Sequence, residues 1–130
     1  MGVDMSKKTL ILAGYTLKKV RSINISQAGE TTKLSEKNLD GSRRVIYTPD
    51  PNATITVTVE TGTQDEFILL NAAETGTMLA GFFKDSSVGE YSRGLTLGEV
   101  GVNKGELTND GETETREFTL NCANCREVLA

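Results

Sequence analysis

The sequence predicts a mainly β protein, a small barrel or sandwich of antiparallel strands with one packed helix, and three observations carry that prediction. Residues 53–60 (ATITVTVE) alternate strictly between apolar and polar side chains, the period-two mark of a strand with one buried face. Residues 61–76 (TGTQDEFILLNAAETG) then switch to helical spacing, opened by a capping signal and closed by glycine. The 130 residues as a whole are rich in Thr and turn-forming Gly, with 13 Gly, only 2 Pro and no Trp. That composition suits short strands joined by turns.

Thr9 to Ala13 is a short apolar strand, and Gly14 turns the chain into a longer one over Tyr15 to Ser26, in which Ile23 and Ile25 share the buried face. Gln27 to Asn38 (QAGETTKLSEKN) is polar and lacks a clean period, so a long polar loop or hairpin arm is expected over about 27–38. Leu34 and Leu39 stand in it as isolated apolar residues. Asp40-Gly41 is a turn signal before a strand over Ser42 to Thr48, and Pro49-Asp50-Pro51-Asn52 breaks that strand because proline locks φ and lacks an amide donor. In the strand that follows, Ile55, Val57 and Val59 face the core while Thr54, Thr56, Thr58 and Glu60 face outward.

Thr63 and Glu66 form a capping box at the helix start, and Asp65 and Glu66 suit the positive end of its dipole. The helix is expected over about 64–74, with Phe67, Leu70 and Ala73, or Ile68 and Ala72, supplying its apolar stripe. Gly76 stops it, and it should plug an open end or edge of the sheet. Thr77 to Phe83 (TMLAGFF) is apolar enough to be buried on both faces. After a turn over 84–89, Glu90 to Lys104, punctuated by Gly94, Gly98 and Gly101, predicts a curved or bulged strand pair. Asn109-Asp110-Gly111 is a hairpin turn leading into Glu114 to Cys122, where Arg116, Phe118, Leu120 and Cys122 share one face. A last strand or arm spans the C-terminus.

A length of 130 residues fits a single domain, with 1–8 as a flexible leader and Met5 as a second candidate start. No apolar run is long enough to cross a bilayer, so a soluble protein with no membrane partner is expected. The net charge of −4 argues against general affinity for nucleic-acid phosphates. Charge is nevertheless unevenly distributed: residues 1–44 hold nine bases and four acids (+5), and the remainder carries −9. Two solvated faces would account for this, and so would head-to-tail contact between unlike patches of neighbouring copies. Glu106, Asp110, Glu112, Glu114 and Glu117 crowd the last hairpin, with Arg116 the only base among them.

The chain contains no His, which removes the commonest general base, the usual catalytic triads and most catalytic zinc sites. No phosphate-binding glycine loop is present. We therefore expect no enzyme, no catalytic residue, no cofactor and no metal site. Cys122-Ala-Asn-Cys125 is the one constellation with chemical potential. Two ordinary thiols, a redox pair, or half of a thiolate metal site completed by another subunit all fit that spacing.

The order of elements resembles the tail tube proteins of bacteriophages, which are similar in fold to the tube-forming protein of type VI secretion. The resemblance rests on the opening strands to Ile25, the arm Gln27 to Asn38, the Asp40-Gly41 turn, ATITVTVE, TGTQDEFILLNAA, TMLAGFF and the later strands, about Thr9 to Leu120. It implies a tail-tube-like domain over 1–130 whose hexameric rings stack into a conduit for DNA. It also implies a virion protein of the phage tail, assembled in the cytoplasm of the bacterial host. The implied partners are other copies of the chain, the sheath of a contractile tail, the baseplate and the tape measure, with DNA passing transiently through the lumen. The arm residues Thr31, Lys33, Leu34, Glu36, Lys37 and Leu39, with Arg43 and Arg44 beyond the turn, would make the contacts between subunits. A tail tube-end or baseplate adaptor of the same fold fits the same pattern. A generic β-sandwich binding module shares the strands but would lack the capped helix and the charged arm.

Overall fold

A computed structural model describes residues 8–27, 32–47, 52–86 and 92–129. It contains ten strands and one helix in the order β1 (Lys8–Leu12), β2 (Tyr15–Thr16), β3 (Val20–Ser26), β4 (Thr32–Leu34), β5 (Val45–Tyr47), β6 (Ala53–Glu60), α1 (Gln64–Thr75), β7 (Leu79–Asp85), β8 (Arg93–Asn109), β9 (Glu114–Ala123) and β10 (Arg126–Leu129). Eight strands form one antiparallel sheet in the order β2-β1-β7-β8-β9-β6-β3, with β10 also paired to β8. The mainly β prediction holds, and this sheet, which is not closed, is compatible with a small sandwich. β4 and β5 pair only with each other, as a separate two-stranded sheet. The expected leader up to Lys7, the 49–51 proline break and residues 87–89 of the expected 84–89 turn lie outside the described residues, while Lys84 and Asp85 belong to β7.

β6 confirms the alternation: Ile55, Val57 and Val59 are fully buried, while Thr54 is exposed and Thr56, Thr58 and Glu60 are half-buried. It sits between β9 and β3, pairing Ile55 with Leu120 and Ile25, and Val57 with Phe118 and Ile23. Phe118, Leu120, Leu12, Leu97 and Val100 complete the centre of the core.

The helix begins as predicted. Thr63 is the N-cap in extended conformation, its hydroxyl accepting from the Glu66 amide at 3.4 Å while the Glu66 carboxylate accepts from the Gly62 amide at 3.0 Å. The Thr63 hydroxyl also donates to the Glu60 carbonyl at 2.7 Å, fastening the helix start to the end of β6. Thr63→Ala should cost about 1 kcal/mol, read as a lower melting temperature; an unchanged value would place the helix start elsewhere. Gly76 ends the helix with φ 71, and its amide bonds the Ala72 carbonyl.

The apolar stripe agrees in part with one expectation, since Ala72 is buried and Ile68 half-buried, and departs from the other at Phe67. Asp65, Leu69 and Ala72 face the core, Leu70 and Ala73 are half-buried, and Phe67 is 63% exposed. With several apolar residues around the helix, sequence spacing fits more than one stripe. The side that lies on β6 and β8 makes the choice.

The apolar run after the helix is also corrected. In β7, Phe83 is buried and Leu79 half-buried, but Met78 just before the strand and Phe82 within it point outward. The position of Phe82 bears on one glycine of the next strand, since a β-carbon on Gly94 would lie 2.8 Å from the Phe82 ring, whereas one on Gly101 would make only ordinary contact with the Met78 sulfur at 3.6 Å. The expected strand pair over 90–104 is a single 17-residue strand, β8, whose register with β9 shifts between Lys104 and Leu107. Gly81 is the tightest position, since a β-carbon there would lie 2.0 Å from the Ile11 carbonyl oxygen of neighbouring β1. Gly81→Ala should therefore lose about 3 kcal/mol, the upper end of ordinary overpacking, because the obstructing atom is backbone. A denaturation midpoint equal to wild type would show that β1 moves aside freely.

Candidate assembly interface

Within the arm predicted over 27–38, residues 28–31 lie outside the described residues, and residues 32–38 form one side of a hairpin with β5. β4 and β5 continue past their paired ends through Ser35, whose amide bonds the Arg44 carbonyl at 2.8 Å and whose hydroxyl accepts from the Arg44 amide at 2.9 Å. At the tip, the Asn38 amide bonds the Ser42 carbonyl (2.9 Å), and the Asp40 carboxylate accepts from the amide (2.9 Å) and hydroxyl (2.6 Å) of Ser42. These bonds from Ser42, its hydroxyl first, hold the Asp40 carboxyl below its usual value. Gly41, at φ 85, supplies the left-handed residue that the turn needs.

This hairpin shows its apolar residues to solvent: Leu34 is 60% exposed, Val45 69% and Leu39 110%. Glu36, Lys37, Arg43 and Arg44 are exposed beside them and enter no ion pair among the described residues. Thr31 and the side chain of Lys33 lie outside the described residues. The structure thus places Leu34, Glu36, Lys37, Leu39, Arg43 and Arg44 on one two-stranded element separate from the main sheet. Val45 belongs with them and was missed, because alternation suggested an ordinary strand of the main sheet. A two-stranded hairpin has marginal stability alone in water, so exposed leucines on such an element call for cover.

The second feature is the ribbon formed by the far ends of β8 and β9. Glu106, Asp110, Glu112, Glu114 and Glu117 are exposed on it. The Asp110 carboxylate closes the turn by accepting from the amides of Thr113 (2.8 Å) and Glu112 (3.0 Å), which lowers its own pKa. Arg116 is turned inward: its guanidinium lies 3.7 Å from Glu66 on the helix. Lys104 pairs with Glu74, one helical turn beyond Leu70. Together the two pairs tie the flank of α1 to β8 and β9 and leave the ribbon's outer charge uncompensated.

Asp65 has a role beyond the dipole. Buried in the first turn of α1, its carboxylate accepts from the Tyr15 hydroxyl (2.8 Å) and from the backbone amides of Lys18 (2.8 Å) and Lys19 (2.6 Å). These bonds explain why the expected strand over Tyr15 to Ser26 is split into β2 and β3: the amides of Lys18 and Lys19 are taken by a side chain instead of a neighbouring strand. The Tyr15 hydroxyl is pushed above its ordinary value of 10.0, first by its hydrogen bond to Asp65, then by burial and the carboxylate charge.

An open cleft of about 420 Å³ between β3 and the β1–β7–β8 side contains Lys8, Asp85, Arg93 and Glu127, but these form ion pairs, Lys8–Asp85 at 3.9 Å and Arg93–Glu127 at 3.2 Å. Among the described residues no group of three or more Cys, Asp or Glu is placed to hold a metal, and no helix is long and apolar enough to cross a membrane.

No protein-family profile and no curated protein matches the chain. Solved structures do. The chain is similar to the PVC sheath/tube terminator of an extracellular contractile injection system in the extended state, at 10% identity and a TM-score of 0.62, over 100% of this chain and 97% of that one. It is also similar to a chain of the PVC sheath–tube complex in the extended state (11% identity, TM-score 0.59, 99% and 93% covered). A third likeness is to the anti-feeding prophage cap, its tube terminating cap (12% identity, TM-score 0.57, 100% and 93% covered). At these identities the likeness is one of fold, and it spans the whole chain: this is the fold of components of phage-tail-like contractile injection systems.

Proposed function

We propose that this chain is a structural subunit of a phage-tail-like particle, one that forms hexameric rings stacking into the tail tube, a conduit for DNA, and that it is not an enzyme. The observation that carries the reading is the hairpin of β4 and β5, separate from the main sheet with Leu34, Leu39 and Val45 uncovered, on a fold shared with tube-associated proteins. Its contact set is Thr31, Lys33, Leu34, Glu36, Lys37, Leu39, Arg43 and Arg44, seated on a neighbouring copy, with the basic half of one subunit meeting the acidic half of the next. An acidic lumen would repel phosphates and let DNA slide. The sheath of a contractile tail, the baseplate and the tape measure are the remaining partners, in a virion tail assembled in the host cytoplasm.

A second reading, a tube-end protein of the same fold, draws support from two of the neighbours, a sheath/tube terminator and a tube terminating cap. Negative-stain microscopy of the purified protein at rising concentration distinguishes the two. Stacked rings support the tube body, whereas single rings that bind only the ends of preformed tubes support the terminator. A persistent monomer that also fails to join tails in a lysate would defeat both.

A further inference from the structure

Neither reading uses the two cysteines, yet the structure brings them together by a specific device. In a continuous strand, residues three apart point to opposite faces. β9 and β10 pair in turn with the same strand, Ala123 opposite Glu99 and Arg126 opposite Thr96, so alternation alone would separate Cys122 from Cys125. Asn124 breaks the alternation with a left-handed backbone (φ 57). The kink lies so close to β8 that a β-carbon on Gly98 would stand 2.8 Å from that of Asn124, which only glycine avoids. Cys122 and Cys125 consequently both enter the core, at 3% and 8% exposure, and both are free thiols. The Cys122 thiol donates to the Leu120 carbonyl at 3.7 Å, and the two sulfurs lie near enough to shift each other's ionisation.

We propose that Cys122 and Cys125 form a reversible intramolecular disulfide in the folded protein, by exchange with a low-molecular-weight disulfide such as oxidised glutathione, and that this bond pins β10 onto β8. Burial pushes Cys122 up to about 12 and raises Cys125 as well, but the Cys122 thiol and the backbone amides of Gly98 and Ala53 act on the Cys125 sulfur in the opposite direction. Cys125 is the attacking sulfur because it is the more accessible of the two, 8% exposed against 3%. It displaces one small thiol from the small disulfide; Cys122 then attacks the Cys125 sulfur of the mixed disulfide and expels the second. Two protein thiols are oxidised, one S–S bond is broken and a new one remains in the protein, and the two thiol protons leave on the two small thiols. The bond closes just ahead of β10, all four of whose residues are exposed.

The test is to incubate native protein with oxidised glutathione, at a concentration that fully oxidises the urea-unfolded chain, then alkylate under denaturing conditions and weigh it. The expected product is a monomer lighter by two hydrogens that resists alkylation and reverts with dithiothreitol. It should melt roughly 5 °C higher than the reduced protein and exchange the amides of β10 more slowly. Cys122→Ser, which keeps the attacking sulfur, should carry one glutathione and show no rise in melting temperature. Two alkylatable thiols surviving in the native protein, or disulfides formed only between chains, would overturn the proposal. An internal disulfide that leaves β10 exchange unchanged would overturn the pinning.

Discussion

Asp65→Ala should destabilise the protein by about 3–5 kcal/mol, a loss expected from core truncations more than from a helix-start carboxylate. The substitution removes a buried acceptor from three donors at once, the Tyr15 hydroxyl and the amides of Lys18 and Lys19. The donors remain where the fold puts them, beside a helix end, and lose a charged partner without gaining water in a good position. Asp65→Asn should fall between, because its amide oxygen keeps part of the acceptor role while its NH₂ group meets donors. Chemical denaturation measures both. The Tyr15 hydroxyl gives an independent readout. Its folded pKa is raised, so this contribution to stability is fully present below the unfolded value of 10.0 and is lost as pH rises through the folded value. In Asp65→Ala the Tyr15 titration should move back down towards 10.0; a variant that melts normally, or keeps the raised titration, would contradict the network.

Replacing Leu34 and Leu39 together by Asp should abolish assembly while leaving the subunit folded. Both side chains are exposed in the isolated chain, 60% and 110%, so the substitutions should change its own stability by no more than about 0.5 kcal/mol. In an assembled particle the same leucines would be covered, each contributing about 1.5–3 kcal/mol, so the double variant loses about 3–6 kcal/mol per arm. That corresponds to roughly a hundred- to ten-thousandfold in the affinity of one contact. Sedimentation and negative staining check the result against the melting temperature. Normal tubes from the double variant would show that the arm does not make the contact. A variant with a collapsed melting temperature would place the leucines in the subunit's own core.

Much of the fold is legible because the chemistry involved is local. The β6 alternation, the Thr63–Glu66 cap, the Gly76 stop and the Asp110-Gly111 turn each depend on residues a few positions apart, and each appears where the sequence places it. The arm was legible as a departure from periodicity, although its inner pairing and the exposure of Val45 were not. Phe67 and Phe82 were misassigned for one reason. Both lie in segments apolar on more than one side, where hydrophobicity alone does not identify the face that meets the core.

By itself the sequence determined the class of the fold, the site of its single helix, the turns, the polar arm and the lack of histidine chemistry, since backbone propensity, capping and side-chain period act within a few residues. Only the tertiary structure decided the strand order, the open edge of the sheet, the meeting of Asp65 with donors 46 to 50 positions away and the kink that turns Cys125 to the same side as Cys122. The physical reason is that a hydrogen bond or a buried face constrains whichever partner the chain brings to it, and neither the period nor the identity of nearby residues specifies a partner from a distant segment.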